Sequence, residues 1–562
     1  MSTRLRRVAA ASAVAVPMAM LAPSASLMAS AAVAPVGQGF TVTPSDLAFI
    51  LKQIKIAEHH AATLTASDPC GTLVGPGPDQ IPDRLSAYGL RTVDGSCNNL
   101  FPGREKFAAA DQPFPRLTTA KFRNAEASPN NFFGPGSGVI PESGGYTQKL
   151  ANNLVFDTQP RVISNLIVDQ TSTNPAAVQA AGFPVRTQGN PGVVPCTTDP
   201  DPTADPPVVG VPAGCTPSHK TLFIPNVTTD VGLSPPYNSL FTFFGQFFDH
   251  GVDQTVKSGG TVFVPLRADD PLRTLGPDGK AGTGDEVPAS QAFMVLTRGQ
   301  NQPGADGKLG TADDIQDASN TDSPWVDQSQ TYSSHPSHQV FLREYALVGG
   351  KPVSTGKLLG GLGAGLQYPG SPDGREGIST WKSVKQQAAA MLGLRLTDAD
   401  VTNIPMLATD PYGKFIPGPN GLPQYVTTAG TLVEGNLTTP VPVPANARHF
   451  DTPFLTDIAH NADPSPVDTD NNPATPPVAP TPDPDNVPSA DFAHQPAGTY
   501  DDEMLDMHFS CGDGRCNENI ALSTIHQIFH SEHNRLVDDI TSTLNDPANA
   551  ALLADFQAAH PF

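Results

Sequence analysis

Apolar residues recur at helical spacing in a few segments of the chain, and long stretches of turn-forming residues separate these segments. The apolar positions between Ser45 and Thr63 recur every three to four residues, which predicts one helix there. The same pattern predicts helices over residues 238–254, 381–392 and 518–544. We therefore expect a mainly α-helical fold with long irregular Pro- and Gly-rich loops and little sheet.

The composition agrees with a loop-rich but folded chain. Its 562 residues include 59 Pro and 50 Gly, well above average usage, so the chain cannot be mostly regular structure. The 38% hydrophobic residues, with 27 Phe, suffice for a sizeable core and exclude global disorder. A formal net charge of −22 without a basic cluster argues against nucleic-acid and anionic-membrane partners.

Two polar segments lie between the helices. Residues 463–488 hold Pro, Asp, Asn and Thr with almost no large apolar residue, which predicts an exposed, mobile loop. A Gly- and Asp-rich motif at 276–285 returns at 304–313. Closely spaced carboxylates on such turns suit calcium, but two solvated acidic turns explain the repeat equally well.

The first residues resemble an export signal. Arg4, Arg6 and Arg7 precede an apolar stretch, and a small-x-small site follows at 29–31. Pro17 and the short apolar run disfavour a membrane anchor. We expect a signal peptide at 1–31, an N-terminal helix and linker at 32–83, and one large domain at 84–562.

An exported protein makes disulfides the favoured interpretation of the six cysteines. Fifteen pairings exist, and a metal site is the rival interpretation, although no Cys-x-x-Cys spacing occurs. Pairing of neighbours along the chain would give Cys70–Cys97, Cys196–Cys215 and Cys511–Cys516.

The first segment with candidate chemistry is Phe244–Asp253. On a continuous helix, Gln246, His250 and Asp253 would share one face, with Asp249 beside them. Burying such groups on an apolar helix is unfavourable without a purpose. A hydrogen-bonded core histidine is the alternative interpretation of His250.

The second segment runs from Gly512 through Arg515 to three histidines at 526, 530 and 533. Arg515 lies between two predicted disulfide partners, which would hold its side chain in place. The three histidines share a helical face, as zinc ligands often do. The segment lacks the Glu general base of His-Glu-x-x-His, which disfavours zinc hydrolysis.

Four blocks, taken together, resemble the animal-type haem peroxidases of the peroxidase–cyclooxygenase superfamily, in a bacterial-like secreted form. They are Gly-Gln-x-x-Asp-His at 245–250, Gly-Asp-x-Arg-x-x-Glu at 512–518 leading to Glu-His-Asn-Arg at 532–535, the stretch 91–100 with 114–117 after it, and a calcium-like loop at 323–332. The blocks occur in the family's order.

The resemblance implies a role for each matching residue. His250 would be the distal base that takes a proton from hydrogen peroxide and returns it to the leaving oxygen, and Arg515 would stabilise the charge that develops there. Gln246 would hold water, halide or peroxide. Asp249 and Glu518 would form ester bonds to haem b.

Two departures from the family pattern qualify these expectations. The family's calcium site uses an Asp directly after the distal His, where this chain has Gly251. The remaining ligand positions are matched by Ser323, the Trp325 carbonyl, Asp327 and Ser329. The resemblance therefore implies a weaker or altered calcium site. The family's proximal histidine has no counterpart downstream of the arginine segment. We expect this chain to end before it, as a fragment or a natural truncation.

The resemblance thus implies a secreted haem peroxidase that reduces hydrogen peroxide and oxidises a halide or small organic reductant, with haem and calcium as cofactors. A fatty-acid dioxygenase of the same superfamily is one alternative. A catalytically silent, calcium-stabilised extracellular binding protein is the other.

Overall fold

The computed structural model describes residues 40–114, 240–256, 281–361, 377–466, 478–488 and 495–559, with a few short gaps, and the backbone of several strands between them. The chain forms two compact units. The first comprises Met1–Gln112, Ser239–Gln254 and Asn320–Phe562, and the second Pro113–Asn238 and Thr255–Ser319. All the candidate site residues belong to the first unit.

The longest elements of the described chain are α-helices. They are α1 (Pro44–Thr63), α2 (Leu240–Asp249), α3 (Ser329–Tyr332), α4 (Pro336–Leu342), α5 (Trp381–Leu392), α6 (Asp502–Met507), α7 (Ile520–Asn545) and α8 (Ala550–Ala559). Three 3₁₀ turns span Asp398–Asp400, Gly514–Asn517 and Pro547–Asn549. The predicted mainly α-helical class is confirmed.

The strands are mostly short. They are β1 (Gln112–Pro113), β2 (Thr147–Lys149), β3 (Val194–Pro195), β4 (Cys215–Thr216), β5 (Thr261–Pro265), β6 (Phe293–Thr297), β7 (Ser319–Asn320), β8 (Arg343–Val348), β9 (Lys351–Leu358), β10 (Leu394–Arg395), β11 (Gln424–Val426), β12 (Leu432–Glu434), β13 (Val441–Pro442), β14 (Thr481–Pro482) and β15 (Thr499–Tyr500). The antiparallel hairpin β8–β9 belongs to the first unit, and the three-stranded antiparallel sheet β2–β5–β6 to the second.

Local capping explains where the main helices begin. Thr43 and Asp46 form a capping box before α1, and Pro44 takes the first helical position, where no amide hydrogen is needed. Thr380 and Ser383 cap α5 in the same way, and Gly393 ends it in a left-handed conformation with φ of 68°. The sequence predicted both helices correctly.

Several apolar clusters hold the first unit together, among them two that pack its main helices. The larger one surrounds Trp381, which is fully buried and donates a hydrogen bond from Nε1 to Asp398 at 2.8 Å. The smaller one packs α1 against the C-terminal helices through Leu47, Leu544 and Phe556. Burial of large side chains at about 25 cal/mol per Å² makes such clusters the main source of stability.

A third cluster, made of aromatic side chains, fixes α2 against α7. Phe247 is fully buried and stacks on Phe529 with 4.5 Å between ring centroids. Leu522 and Ile525 complete the buried contact. Since α2 leads to His250 and α7 follows Arg515, this packing brings the two candidate segments together.

Two helix boundaries differ from the predictions. Helix α2 ends at Asp249 instead of near residue 254, because the Gly251 and Val252 amides donate to carbonyls three residues back and tighten the chain into a turn. Asp253 therefore does not share a helical face with Gln246. Helix α7 begins at Ile520, because the Asn519 side chain caps the Leu522 amide.

Two predicted disulfides are confirmed, namely Cys70–Cys97 and Cys511–Cys516. The signal segment 1–31 and the pair Cys196–Cys215 lie outside the residues whose side chains the structure describes. Within the predicted loop, residues 478–488 are largely exposed and contain β14, which pairs with β15. The predicted end of the signal peptide at residue 31 and the predicted start of the large domain at residue 84 stay predictions.

Candidate active site

His250 lies at the end of α2 and is almost completely buried, with 6% of its surface exposed. Its amide continues the helical pattern by donating to the Gln246 carbonyl at 2.9 Å. Burial, and then the positive charge of Arg515, lower the pKa of the imidazole, while nearby carboxylates raise it in part. The ring is therefore neutral at neutral pH. Its Nδ1 has no hydrogen-bond partner among the described residues.

Arg515 lies in the 3₁₀ turn that the disulfide Cys511–Cys516 closes. Its Nε and Nη2 donate to the two carboxylate oxygens of Asp513 at 3.0 and 2.7 Å, a bidentate pair. Asp513 is buried and also caps the turn by accepting from the Arg515 amide at 2.8 Å. Burial opposes its ionisation, but the hydrogen bonds and charge of Arg515 hold the pKa of Asp513 below its usual value.

The same guanidinium joins the turn to the end of α2. Nη2 donates to the main-chain carbonyls of His250 at 3.1 Å and Asp253 at 2.7 Å. The buried Asp322 approaches Nη2 at 3.4 Å. Burial and the neighbouring Asp513 raise the pKa of Asp322 well above its usual value. Arg515 is thus fixed relative to His250 by backbone atoms as well as by charge.

Glu518 and Gln246 complete a polar cluster around the imidazole. The Glu518 carboxylate lies 3.5 Å from His250 Nε2 and accepts a short hydrogen bond from the Gln246 amide. Asn519 orients Gln246 by donating to its Oε1 at 3.2 Å. Asp249 is exposed at the end of α2, next to the buried His250.

The residues predicted to hold calcium also lie together. Ser323 Oγ and the Ser329 amide each donate to Asp327, both at 3.1 Å, and Ser329 Oγ donates to the Gly251 carbonyl at 3.0 Å. The Trp325 carbonyl accepts from the Asp327 amide at 2.9 Å. Burial raises the pKa of Asp327 to about 6, although its hydrogen bonds lower it in part.

Sequence reasoning missed Gln330 in this loop. Gln330 is 2% exposed, and its Oε1 is a buried oxygen without a hydrogen-bond partner among the described residues. Hydroxyl, carbonyl, carboxylate and amide oxygens are the ligands that Ca²⁺ prefers. The donor set therefore fits calcium, with one carboxylate instead of the two that the family pattern implies.

The three histidines of α7 do not form the face of a zinc site. His530 Nε2 donates to the Leu359 carbonyl at 3.0 Å. His533 uses both ring nitrogens, donating from Nε2 to the Gly356 carbonyl at 3.0 Å and accepting from the Tyr332 hydroxyl at 2.8 Å. His526 packs edge-on against Phe247 with ring centroids 4.8 Å apart. These rings serve packing between α7 and its neighbours.

Exposed apolar side chains lie on both helices that flank the polar cluster. Helices α2 and α7 carry exposed apolar side chains near their first turns, among them Leu240 at 42%, Phe241 at 46% and Ile520 at 87% exposure. Ile520 comes two residues after Glu518 and so adjoins the polar cluster, whereas Leu240 and Phe241 lie at the opposite end of α2 from His250. An exposed apolar side chain beside such a cluster suits a surface that a ligand covers. The exposed carboxylates of Asp249 and Glu518, near the buried His250, are the groups in this cluster that fit haem.

The structure brings together most of the residues that the sequence predicted for this site. His250, Arg515, Gln246 and Glu518 lie together. Asp249 precedes His250 in the chain, but no hydrogen bond or ion pair joins its side chain to the other four among the described residues. Asp513 was detectable, since an Asp directly before a helical turn often caps it. Asp322 gave no signal, because it reaches Arg515 across 193 residues of sequence.

Comparison with known protein families gives a match to one segment of the chain. The family model of the animal haem peroxidase matches residues 478–550, which include Arg515, Glu518 and the whole of α7. No curated protein matches the chain. None of the helices in the described parts combines the length and apolar character that a bilayer crossing requires. Residues 478–550 are therefore similar to part of the animal haem peroxidase domain, which supports membership of the chain in the peroxidase–cyclooxygenase superfamily.

Proposed function

We propose that the chain is a secreted haem peroxidase, which reduces hydrogen peroxide and oxidises a halide or a small organic substrate. One observation carries the proposal: the Arg515 guanidinium donates a hydrogen bond to the main-chain carbonyl of His250 at 3.1 Å. A fixed cation therefore lies next to the residue whose buried imidazole is neutral. The family match to the segment around Arg515 supports the same function.

His250 is the general base of this proposal. Its lowered pKa keeps the ring unprotonated at neutral pH, so it accepts a proton from peroxide and returns it to the departing oxygen. Haem b, when bound, supplies the redox chemistry of oxygen–oxygen bond cleavage. Gln246 lies within hydrogen-bond reach of the same carboxylate as His250 and would hold peroxide, water or halide.

Arg515 stabilises negative charge on the departing oxygen. Asp513 and two main-chain carbonyls hold its guanidinium, so the cation does not have to reorganise during the reaction. Lysine would provide a charge without this planar, multiply bonded geometry.

Asp249 and Glu518 would hold haem through ester bonds to its methyl groups. Both carboxylates are exposed and flank the catalytic pair, one beside His250 and one three residues after Arg515. After peroxide treatment, acid–solvent extraction should leave haem attached to the parent protein and release it from the Asp249→Ala, Glu518→Ala double variant. Complete extraction from the parent would contradict this role.

The calcium loop would stabilise the end of α2. Its ligands would be Ser323, the Trp325 carbonyl, Asp327 and Ser329, together with the Gly251 carbonyl next to His250. The two disulfides suit the oxidising compartment of an exported protein.

The test is peroxide-dependent oxidation of a chromogenic phenol by the full chain reconstituted with haem b, with and without added imidazole as an axial ligand. We expect turnover in the parent and a loss of about 10²–10⁴-fold in His250→Ala. His59→Ala, on α1, is the matched control and should retain parent activity. Haem binding without turnover in the parent would contradict the proposal.

A further inference from the structure

Position 251 and the side chain of Gln330 compete for the same space. The Gln330 amide oxygen fills the place that a Cβ atom on Gly251 would take. Residue 251 is where the family pattern has a calcium-binding Asp. A residue with a side chain at position 251 would clash with Gln330 in its present conformation.

The oxygen that occupies this space has the properties of a metal ligand. Gln330 is 2% exposed, and its Oε1 lacks a hydrogen-bond partner among the described residues, which is unfavourable for a buried amide oxygen. It lies beside the Gly251 backbone, whose carbonyl is 3.0 Å from Ser329 Oγ. Asp327 adjoins Ser329 in turn, since its carboxylate accepts from the Ser329 amide at 3.1 Å.

We propose that Gln330 Oε1 is a calcium ligand that replaces the aspartate absent at position 251. Amide oxygens are ordinary calcium ligands, and a bound ion would satisfy the buried Oε1. The exchange of Asp for Gln removes one negative charge from the ligand set. The site is therefore a neutral-amide variant with lower affinity than a two-carboxylate site.

This ligand would connect the ion to both halves of the active site. Gly251 directly follows His250, and the Gln330 carbonyl accepts from the Asp513 amide at 3.2 Å. Asp513 is the carboxylate that holds Arg515. Calcium bound by the Gly251 carbonyl and by Gln330 Oε1 would stabilise the positions of His250 and Arg515 together.

Arg91 is the competing cation in this region. Its guanidinium lies over the Trp325 ring at 4.4 Å and interacts with the charge of Asp327. If Arg91 balanced the loop by itself, calcium would not bind. Asp327 accepts hydrogen bonds from Ser323 and Ser329, and among the ion pairs of the described residues none joins it to Arg91, so the Arg91 guanidinium does not take the place of the ion.

The inference rests on the calcium site of the proposed function, but its test measures metal binding and is independent of peroxide turnover. Calcium binding to the chelator-treated full chain is measured by titration calorimetry. We expect the parent to bind one ion in this loop, and Gln330→Leu to weaken binding about tenfold or more, because ligand number sets calcium affinity. Gln53→Leu, a buried glutamine on α1, should keep parent affinity.

An exchange variant keeps the test decisive if Gln330→Leu folds poorly. Gly251→Asp with Gln330→Ala restores an aspartate at the family's position and clears the space it needs, so it should bind calcium at least as tightly as the parent. Gly251→Asp alone should lose stability through the clash with Gln330. A parent that does not bind calcium, or a Gln330→Leu variant with parent affinity, would overturn the inference.

Discussion

The side chain of Arg515 connects parts of the chain that are far apart in sequence. It binds Asp513 two residues away, the carbonyls of His250 and Asp253, and the buried Asp322. The local part of this arrangement follows from the turn that Asp513 caps. The long-range part depends on packing of α2 against α7, so sequence spacing does not predict it.

The imidazole of His250 should titrate below its ordinary value of 6.5. Burial and Arg515 lower its pKa, while Glu518 raises it in part, so Glu518→Gln should lower the midpoint further. Because the neutral ring is the base, the peroxide reaction should stay constant down to about pH 6.5 and fall only below the lowered pKa. NMR titration of the imidazole in the haem-free protein measures the midpoint.

A midpoint above 6.5 would show that the carboxylates dominate the surroundings of His250. A midpoint that rises in Glu518→Gln would mean that Glu518 does not act on the imidazole as its 3.5 Å separation indicates.

At the level of elements, the strongly periodic helices were predictable and the short strands were not. Helices α1 and α5 follow from apolar spacing and capping boxes that lie within the segments themselves. Strands such as β14 have two residues, and they exist because of a distant partner, in this case β15. The predicted end of α2 was wrong for a related reason: the turn at Gly251 lies against Gln330, which is distant in sequence.

The two confirmed disulfides should have different effects when they are removed. Cys511–Cys516 spans 5 residues and Cys70–Cys97 spans 27, so loop-closure entropy favours the longer loop, with roughly 2 against 3.5 kcal/mol of stability. The shorter loop holds Arg515. Replacing Cys511 and Cys516 by Ser should therefore slow the peroxide reaction more, while replacing Cys70 and Cys97 should lower the free energy of unfolding more.

Urea unfolding and peroxide kinetics on both double variants check this prediction. Each variant serves as the control for the other. Equal losses of peroxide reactivity in the two variants would mean that the short disulfide does not position Arg515.

At the level of the whole molecule, several buried histidines make stability depend on pH. Burial lowers the pKa to about 3 in His338 and His526 and to about 4 in His530, against 6.5 unfolded. The unfolded chain then binds more protons, so stability is complete above pH 6.5 and falls as the pH drops from there toward 4. Each residue contributes about 1.4 kcal/mol per pH unit in this window.

A matched variant isolates this effect from the titration of carboxylates. His526→Phe keeps a ring against Phe247 and removes the titrating group, and the Nε2 that it deletes has no hydrogen-bond partner among the described residues. Denaturant unfolding between pH 7 and 5 should show a smaller loss of stability in this variant than in the parent. Identical losses would show that His526 is accessible to protons in the folded state.

The central claim is that His250 and Arg515 act as one unit on the same peroxide molecule. The most direct measurement is a double-mutant cycle on the rate of reaction of the haem-reconstituted chain with hydrogen peroxide, followed by rapid-mixing absorption spectroscopy. We expect His250→Ala and Arg515→Ala each to slow the reaction by about 10²-fold or more, and the double variant to lose little beyond the worse single variant. Fully additive losses, or a parent rate no faster than that of either variant, would contradict the claim.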